Sequence, residues 1–178
     1  TVERLFEEHR KKVIQKLRVV EGQVKLDTMT GLLNRKEFER QVRIFLGTSG
    51  KEAIFLMIDI DNFKGVNDSL GHIMGDQAII NVAKVLDNAF SEEDLACRFG
   101  GDEFAIFIKH GMTMDELKGA MEELRSKLRI NAGEMKISCS IGVALFPSNA
   151  TEYKELYRCA DMALIQAKKL GKNQFQIY

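Results

Sequence analysis

The sequence predicts one α+β domain, in which a central, mostly antiparallel sheet is flanked by helices and preceded by an amphipathic helix. Three observations predict it. Short apolar runs of strand length alternate with stretches whose apolar residues recur every three or four positions, as helices packed on a sheet require. Two of the runs are separated only by Gly100-Gly101-Asp102-Glu103, which reads as a β-hairpin. The third is size: 178 residues, 45% hydrophobic and 29% charged, suffice for one buried core plus one appended element.

Residues 1–26 are charged and proline-free, with Phe6, Val13, Leu17, Val20 and Val24 forming a narrow apolar seam interrupted by Arg10. The segment reads as a signalling or dimerisation helix, either a coiled-coil strand or a helix packed on its own domain. Capping and turn residues from Asp27 to Arg35 then break the pattern, and a domain spanning 27–178 begins. Phe38, Val42, Phe45 and Leu46 mark its first helix. Ala53 to Ile60 is almost uninterrupted apolar sequence, suited to a central strand covered on both faces. A glycine-containing loop follows, then a helix on Met74, Ala78, Val82, Leu86 and Phe90. Residues 95–99 and 104–108 form the hairpin strands, and Leu117, Met121, Leu124 and Leu128 a further helix. Met135, Ile137, Cys139, Ile141, Val143 and Leu145 alternate with small or polar residues, as in a half-buried strand. The last long helix carries Leu156, Ala160, Ala163, Ala167 and Leu170, and residues 175–178 close as a short strand.

Lysine plus arginine (26) balance aspartate plus glutamate (26), so no global basic field exists to attract nucleic acid, and phosphate binding has to be local. Cys97, Cys139 and Cys159 lack the spacing of a zinc site or disulfide scaffold, which points to a reducing cytoplasm. No apolar run approaches the roughly 20 residues of a membrane span. The charged N-terminus reads as part of a longer protein, whose membrane attachment through another segment stays open.

The chemistry-bearing residues gather in three places. Asp59 and Asp61 stand two apart at a strand exit, facing one side, where a carboxylate pair is costly unless positive charge joins it. Such oxygens suit Mg²⁺ or Mn²⁺ shared with substrate phosphates, although Asp-x-Asp also occurs as a solvated strand end. Gly100 and Gly101 let a bulky ligand approach backbone beside Asp102 and Glu103, in what could equally be an ordinary hairpin with a Gly-Gly turn. Two acidic strand ends meeting on one sheet are the geometry of two-metal phosphoryl transfer. Lys64 offers a point charge to phosphate, Asn62, Asn67 and Asp68 polar edges, and His72, Gly75 and Asp76 open a helix, although His72 alone could be a cap. Lys168, Lys169 and Lys172 end a helix before and after Gly171; they are either a common helix terminus or, if the fold brings them to the acids, phosphate ligands.

Five pieces carry a resemblance: Asp27-Thr-Met-Thr-Gly-Leu-Leu-Asn-Arg35, Asp59-Ile-Asp-Asn-Phe-Lys64, Asn67-Asp-Ser-Leu-Gly-His-Ile-Met-Gly-Asp76, Arg98-Phe-Gly-Gly-Asp-Glu-Phe104 and Ala167-Lys-Lys-Leu-Gly-Lys-Asn173. In this order they resemble the GGDEF-domain diguanylate cyclases, relatives in fold of class III nucleotidyl cyclases and polymerase palm domains. The resemblance implies that Asp59, the Ile60 carbonyl, Asp102 and Glu103 hold two Mg²⁺ or Mn²⁺ ions per active site, with Asp102 taking the 3′-hydroxyl proton. It implies that Asn67 and Asp76 read the guanine of GTP with His72 lining the pocket. Lys64, Lys168 and Lys172 would hold the triphosphate, Lys64 also stabilising the transition state, with Asn62 and Phe63 lending backbone amides and Gly100 and Gly101 leaving room. Each site holds one GTP, so a homodimer is implied, with a sensor domain upstream. Two departures stand out: Lys172 replaces a frequent arginine, and Ser91-Glu92-Glu93-Asp94 lacks the arginine of the family's inhibitory Arg-x-x-Asp, so weak or no feedback inhibition is expected. The alternatives are a non-catalytic module sensing GTP or cyclic di-GMP, and an enzyme making a mixed cyclic dinucleotide, against which Asp76 argues for guanine.

Overall fold

The computed structural model describes residues 25–133 and 135–178, so the apolar seam from Phe6 to Val24 lies outside the described residues. In chain order the elements are β1 (Leu33–Asn34), α1 (Arg35–Thr48), β2 (Ala53–Ile60), α2 (Phe63–Leu70), α3 (His72–Asp87), β3 (Leu95–Gly100) and β4 (Glu103–Ile108). They continue with α4 (Met114–Lys127), β5 (Ile130–Ala132), β6 (Met135–Ile137), β7 (Cys139–Phe146), α5 (Tyr153–Lys169) and β8 (Phe175–Ile177). The main sheet has the order β1-β3-β4-β2-β7-β8, and β5 and β6 form a separate ribbon. Its three inner pairings are antiparallel and its two edge pairings parallel. No helix among the described residues is long and apolar enough to cross a membrane.

Strand β2 is the axis of the fold, and all eight of its residues are buried. Ile54, Leu56, Ile58 and Ile60 pack with Val66, Val82 and Leu117 of α2, α3 and α4, while Phe55 and Met57 pack with Phe38 of α1 and Leu164 of α5. Two cores therefore sandwich one sheet in three layers, which is why the sequence of β2 shows no polar alternation. Edge-to-face contacts knit the second core, Phe38 to Phe55 at 5.7 Å and Phe55 to Phe107 at 6.3 Å.

The helices begin where polar caps permit. The Asn34 side chain accepts from the Glu37 amide at the start of α1, and Thr113 with Glu116 closes a capping box on α4. Four expectations need correction. Residues 63–70, read as part of a loop, form helix α2 in spite of Gly65, because Val66 buries against the core and the helix packs against α3. Helix α3 ends at Asp87, before Phe90. The alternating run from Met135 is two strands broken at Ser138, and β7 is buried on both faces rather than one. Its small residues lie beneath a helix, not in water: a Cβ on Gly142 would sit 2.0 Å from the Ala160 carbonyl oxygen of α5. Finally, the hairpin pairs Gly100 with Glu103, so its two-residue turn is Gly101-Asp102 rather than Gly100-Gly101, and Gly101 takes the left-handed φ of 55°.

Candidate active site

The register of β2 and β4 places Asp59 directly opposite Glu103, and the Ile60 amide donates to the Asp102 carbonyl at 3.2 Å. Side chains opposite one another in an antiparallel pair share a face, so these two acids stand together; like charges so placed repel. The hairpin tip is held from outside: the Arg98 guanidinium donates to the Gly101 carbonyl at 2.9 and 3.1 Å and reaches Asp27 at 3.4 Å. Asp27 in turn accepts from the Thr30 amide and hydroxyl, so the Asp27 turn and the β3–β4 hairpin are braced as one unit.

Asp59 is 8% exposed. Burial pushes its carboxyl up to about 6; the Lys168 ammonium 2.8 Å away opposes that shift, and Asp102 and Glu103 add to it. The condition set on the basic helix end is thereby met, since α5 delivers Lys168 to the acids. A buried acid pressed by two neighbouring carboxylates and only partly compensated by one lysine lacks positive charge. Hard oxygen donors of this kind fit Mg²⁺ or Mn²⁺. Among the described residues no group of three acidic, histidine or cysteine side chains is close enough together to hold an ion by itself.

Beyond Ile60 the chain turns through Asn62, at a left-handed φ of 58°, into α2. No side chain caps this helix, so the first-turn amides, among them those of Phe63 and Lys64, point outward without an intrahelical partner. Lys64 is exposed beside them. Helices α2 and α3 meet at Asn67 and Gly75: a Cβ on Gly75 would lie 1.9 Å from Asn67 Oδ1 and 3.3 Å from the Phe63 ring. The carboxamide of Asn67 thus occupies the space that glycine leaves, next to Asp76. His72 and Asp76 are exposed and four residues apart, so they share a face of α3. Lys172 is exposed and left-handed, with φ 62°. Gly100 and Gly101 are open around their Cα atoms, with nothing within 4 Å of a built Cβ.

Asp61, the second acid of the strand exit, is engaged elsewhere. Its carboxylate accepts from Ser138 Oγ (2.7 Å), Ser140 Oγ (2.6 Å) and the Asn173 amide (2.9 Å). Asp94 is likewise occupied, accepting from the Lys109 amide at 2.8 Å and the Ser91 amide at 3.1 Å. Sequence reasoning missed the Arg98 brace, the Gly75 clearance and the anchoring roles of Asp61 and Asp94. The serines at 138 and 140, one at the break between β6 and β7 and one just inside β7, were the available signal for Asp61.

The sheet order and the acids at the ends of β2 and the hairpin define a palm-like nucleotidyl-cyclase fold. The model of the family described as "Diguanylate cyclase, GGDEF domain" matches residues 24–174. The chain belongs to the GGDEF-domain family. It is 36% identical over 158 residues to the probable diguanylate cyclase DgcC of Escherichia coli, covering 85% of this chain and 42% of the relative. It is 31% identical over 160 residues to the cyclic di-GMP phosphodiesterase NbdA of Pseudomonas aeruginosa, covering 85% and 20% respectively. The chain therefore spans less than half the length of these curated relatives. The solved GGDEF domain of TpbB (YfiN) from Pseudomonas aeruginosa superposes with a TM-score of 0.79 at 31% identity, covering 85% of this chain and 93% of that one. The coiled coil and GGDEF domain of DgcB from Caulobacter crescentus, solved with c-di-GMP, superposes with a TM-score of 0.79 at 27% identity, covering 98% and 97%.

Proposed function

We propose that this chain is the catalytic domain of a diguanylate cyclase, condensing two GTP into cyclic di-GMP and two pyrophosphates across a homodimer. The observation that carries the reading is Asp59: a buried acid opposite Glu103 and beside Asp102, with Lys168 as its partner. Divalent ions bound by Asp59, the Ile60 carbonyl, Asp102 and Glu103, two per site, would neutralise charge on the attacking oxygen and the leaving phosphate.

This chain's residues do the rest. Asp76 accepts from the guanine N1 and N2 donors and the Asn67 carboxamide, which can donate and accept, reads the same edge, with His72 lining the pocket. Asn62 and Phe63 amides, Lys64, Lys168 and Lys172 hold the triphosphate, and Gly100 and Gly101 leave room for it. Asp102 takes the proton as the 3′-oxygen of the opposing GTP attacks the α-phosphorus, and pyrophosphate leaves to the lysines. Repeating the step with the roles exchanged closes the ring, so one domain alone holds half a site. The same reading carries a cytoplasmic location for the domain, an upstream sensor in the parent protein, and no nucleic-acid partner.

A GTP- or cyclic di-GMP-sensing module is the second reading, favoured by the match to a protein named as a phosphodiesterase. Incubation with Mg²⁺ and GTP, alone and against excess ATP, separates them. The cyclase reading expects cyclic di-GMP and its loss in Asp59→Ala with folding intact; bound but unconverted GTP supports the module.

A further inference from the structure

We infer that Asp61 is a positioning residue for the triphosphate-holding turn and not a ligand of the metals. The inference rests on the proposed role of Lys168 and Lys172. Asp61 is 7% exposed, and burying a carboxylate is costly unless hydrogen bonds satisfy it. Here each oxygen is engaged: Oδ1 by Ser140 Oγ, and Oδ2 by Ser138 Oγ and the Asn173 amide. Its own amide donates to the Ser138 carbonyl at 2.8 Å. One side chain thus joins three segments that are far apart in sequence: the exit of β2, the break between β6 and β7, and the turn after α5.

That turn needs an anchor. Lys172 and Asn173 are consecutive non-glycine residues with φ of 62° and 46°, a left-handed pair that L-residues adopt only when something holds them. Two groups hold Asn173: Asp61 through the amide, and Arg125 Nη1 at 3.3 Å from Oδ1. The Lys172 amide returns to the Ala167 carbonyl at 3.1 Å, so the turn is locked to the end of α5 just before Lys168. Asp59 and Asp61 therefore divide the strand exit: Asp59 meets Lys168 directly, and Asp61 fixes where the Lys168–Lys172 segment lies relative to Asp59. Without that anchor the strained turn relaxes and Lys172 leaves its register with the phosphates.

The test compares the wild type with Asp61→Asn, the Ser138→Ala/Ser140→Ala double variant, and Asp59→Asn as the metal control. Thermal melts confirm folding; the serine variant keeps the carboxylate if Asp61→Asn melts early. The readouts are KM and kcat for GTP, the Mg²⁺ concentration for half-maximal rate, and calorimetric binding of inorganic tripolyphosphate without metal. We expect Asp61→Asn and the serine variant to raise the GTP KM and weaken tripolyphosphate about tenfold, with an unchanged Mg²⁺ requirement. Adding Lys172→Ala to Asp61→Asn should cost little more, because both remove the same contact. A raised Mg²⁺ requirement in Asp61→Asn, matching Asp59→Asn, would overturn the inference, as would wild-type tripolyphosphate affinity in both anchor variants. If the wild type makes no cyclic product, the cyclase reading fails, and the tripolyphosphate series still decides the role of Asp61.

Discussion

Asp59 concentrates the electrostatics of the site in one side chain. Its folded-state value of about 6 lies above that of an ordinary aspartate, so the native state favours the protonated form. The sign follows by linkage: stability associated with this group is present below the ordinary aspartate range and is lost as pH rises through about 6. Melting temperatures of wild type and Asp59→Asn in the absence of metal should therefore diverge between about pH 4 and 6, the variant gaining relative to the wild type. Parallel curves would mean the burial is compensated in full. Gly75 makes a second prediction at this scale. Alanine there would drive Asn67 Oδ1 out of the position it occupies, so Gly75→Ala should raise the GTP KM at least about tenfold and erode discrimination against ATP. Competition kinetics with the two nucleotides measure it. The acids and the lysines were legible as residues because their types and spacing carry the chemistry. Spacing alone did not divide Asp59 from Asp61; the resemblance singled out Asp59, while what Asp61 does instead rests on the serines and the Asn173 amide, brought from more than seventy residues away.

Elements were legible where burial was symmetrical. An eight-residue apolar run admits few fates, and β2 met the one expected of it. Errors arose where small residues were read as exposed. Ser140, Gly142 and Ala144 look like the wet face of β7, yet they are small because α5 rests on them, its backbone within 2.0 Å of where a Gly142 Cβ would stand. Gly142→Ala should destabilise the domain by about 1–3 kcal/mol, read as a lower melting temperature, since backbone rather than a flexible side chain must yield. Because α5 also carries Lys168, activity should fall with it. Helix α2 was hidden for the opposite reason: its eight residues include Gly65 and bury only Val66, too little periodicity to announce a helix. The hairpin shift by one residue is of the same kind, since Gly-Gly and Gly-Asp turns are both favoured and register decides between them.

At the scale of the molecule, one sheet presents acids from β2, the β3–β4 hairpin and a lysine from α5 at one end. Opposite that arrangement lies the stretch before β3, where Asp94 holds backbone amides of Ser91 and Lys109 and no arginine stands at position 91. Asp94→Ala should cost about 1–3 kcal/mol of stability through those unpaired amides, while leaving the product's effect on rate unchanged. Tight product binding abolished by that substitution would instead reveal an inhibitory site. The proposed half-site per domain predicts that turnover needs two domains, so assays belong at high protein concentration. The most direct test of the account is the product formed from GTP and Mg²⁺ under that condition. A cyclase yields cyclic di-GMP with two pyrophosphates released per molecule, and none from folded Asp102→Ala; intact GTP, or equal product from the variant, would rule the cyclase mechanism out.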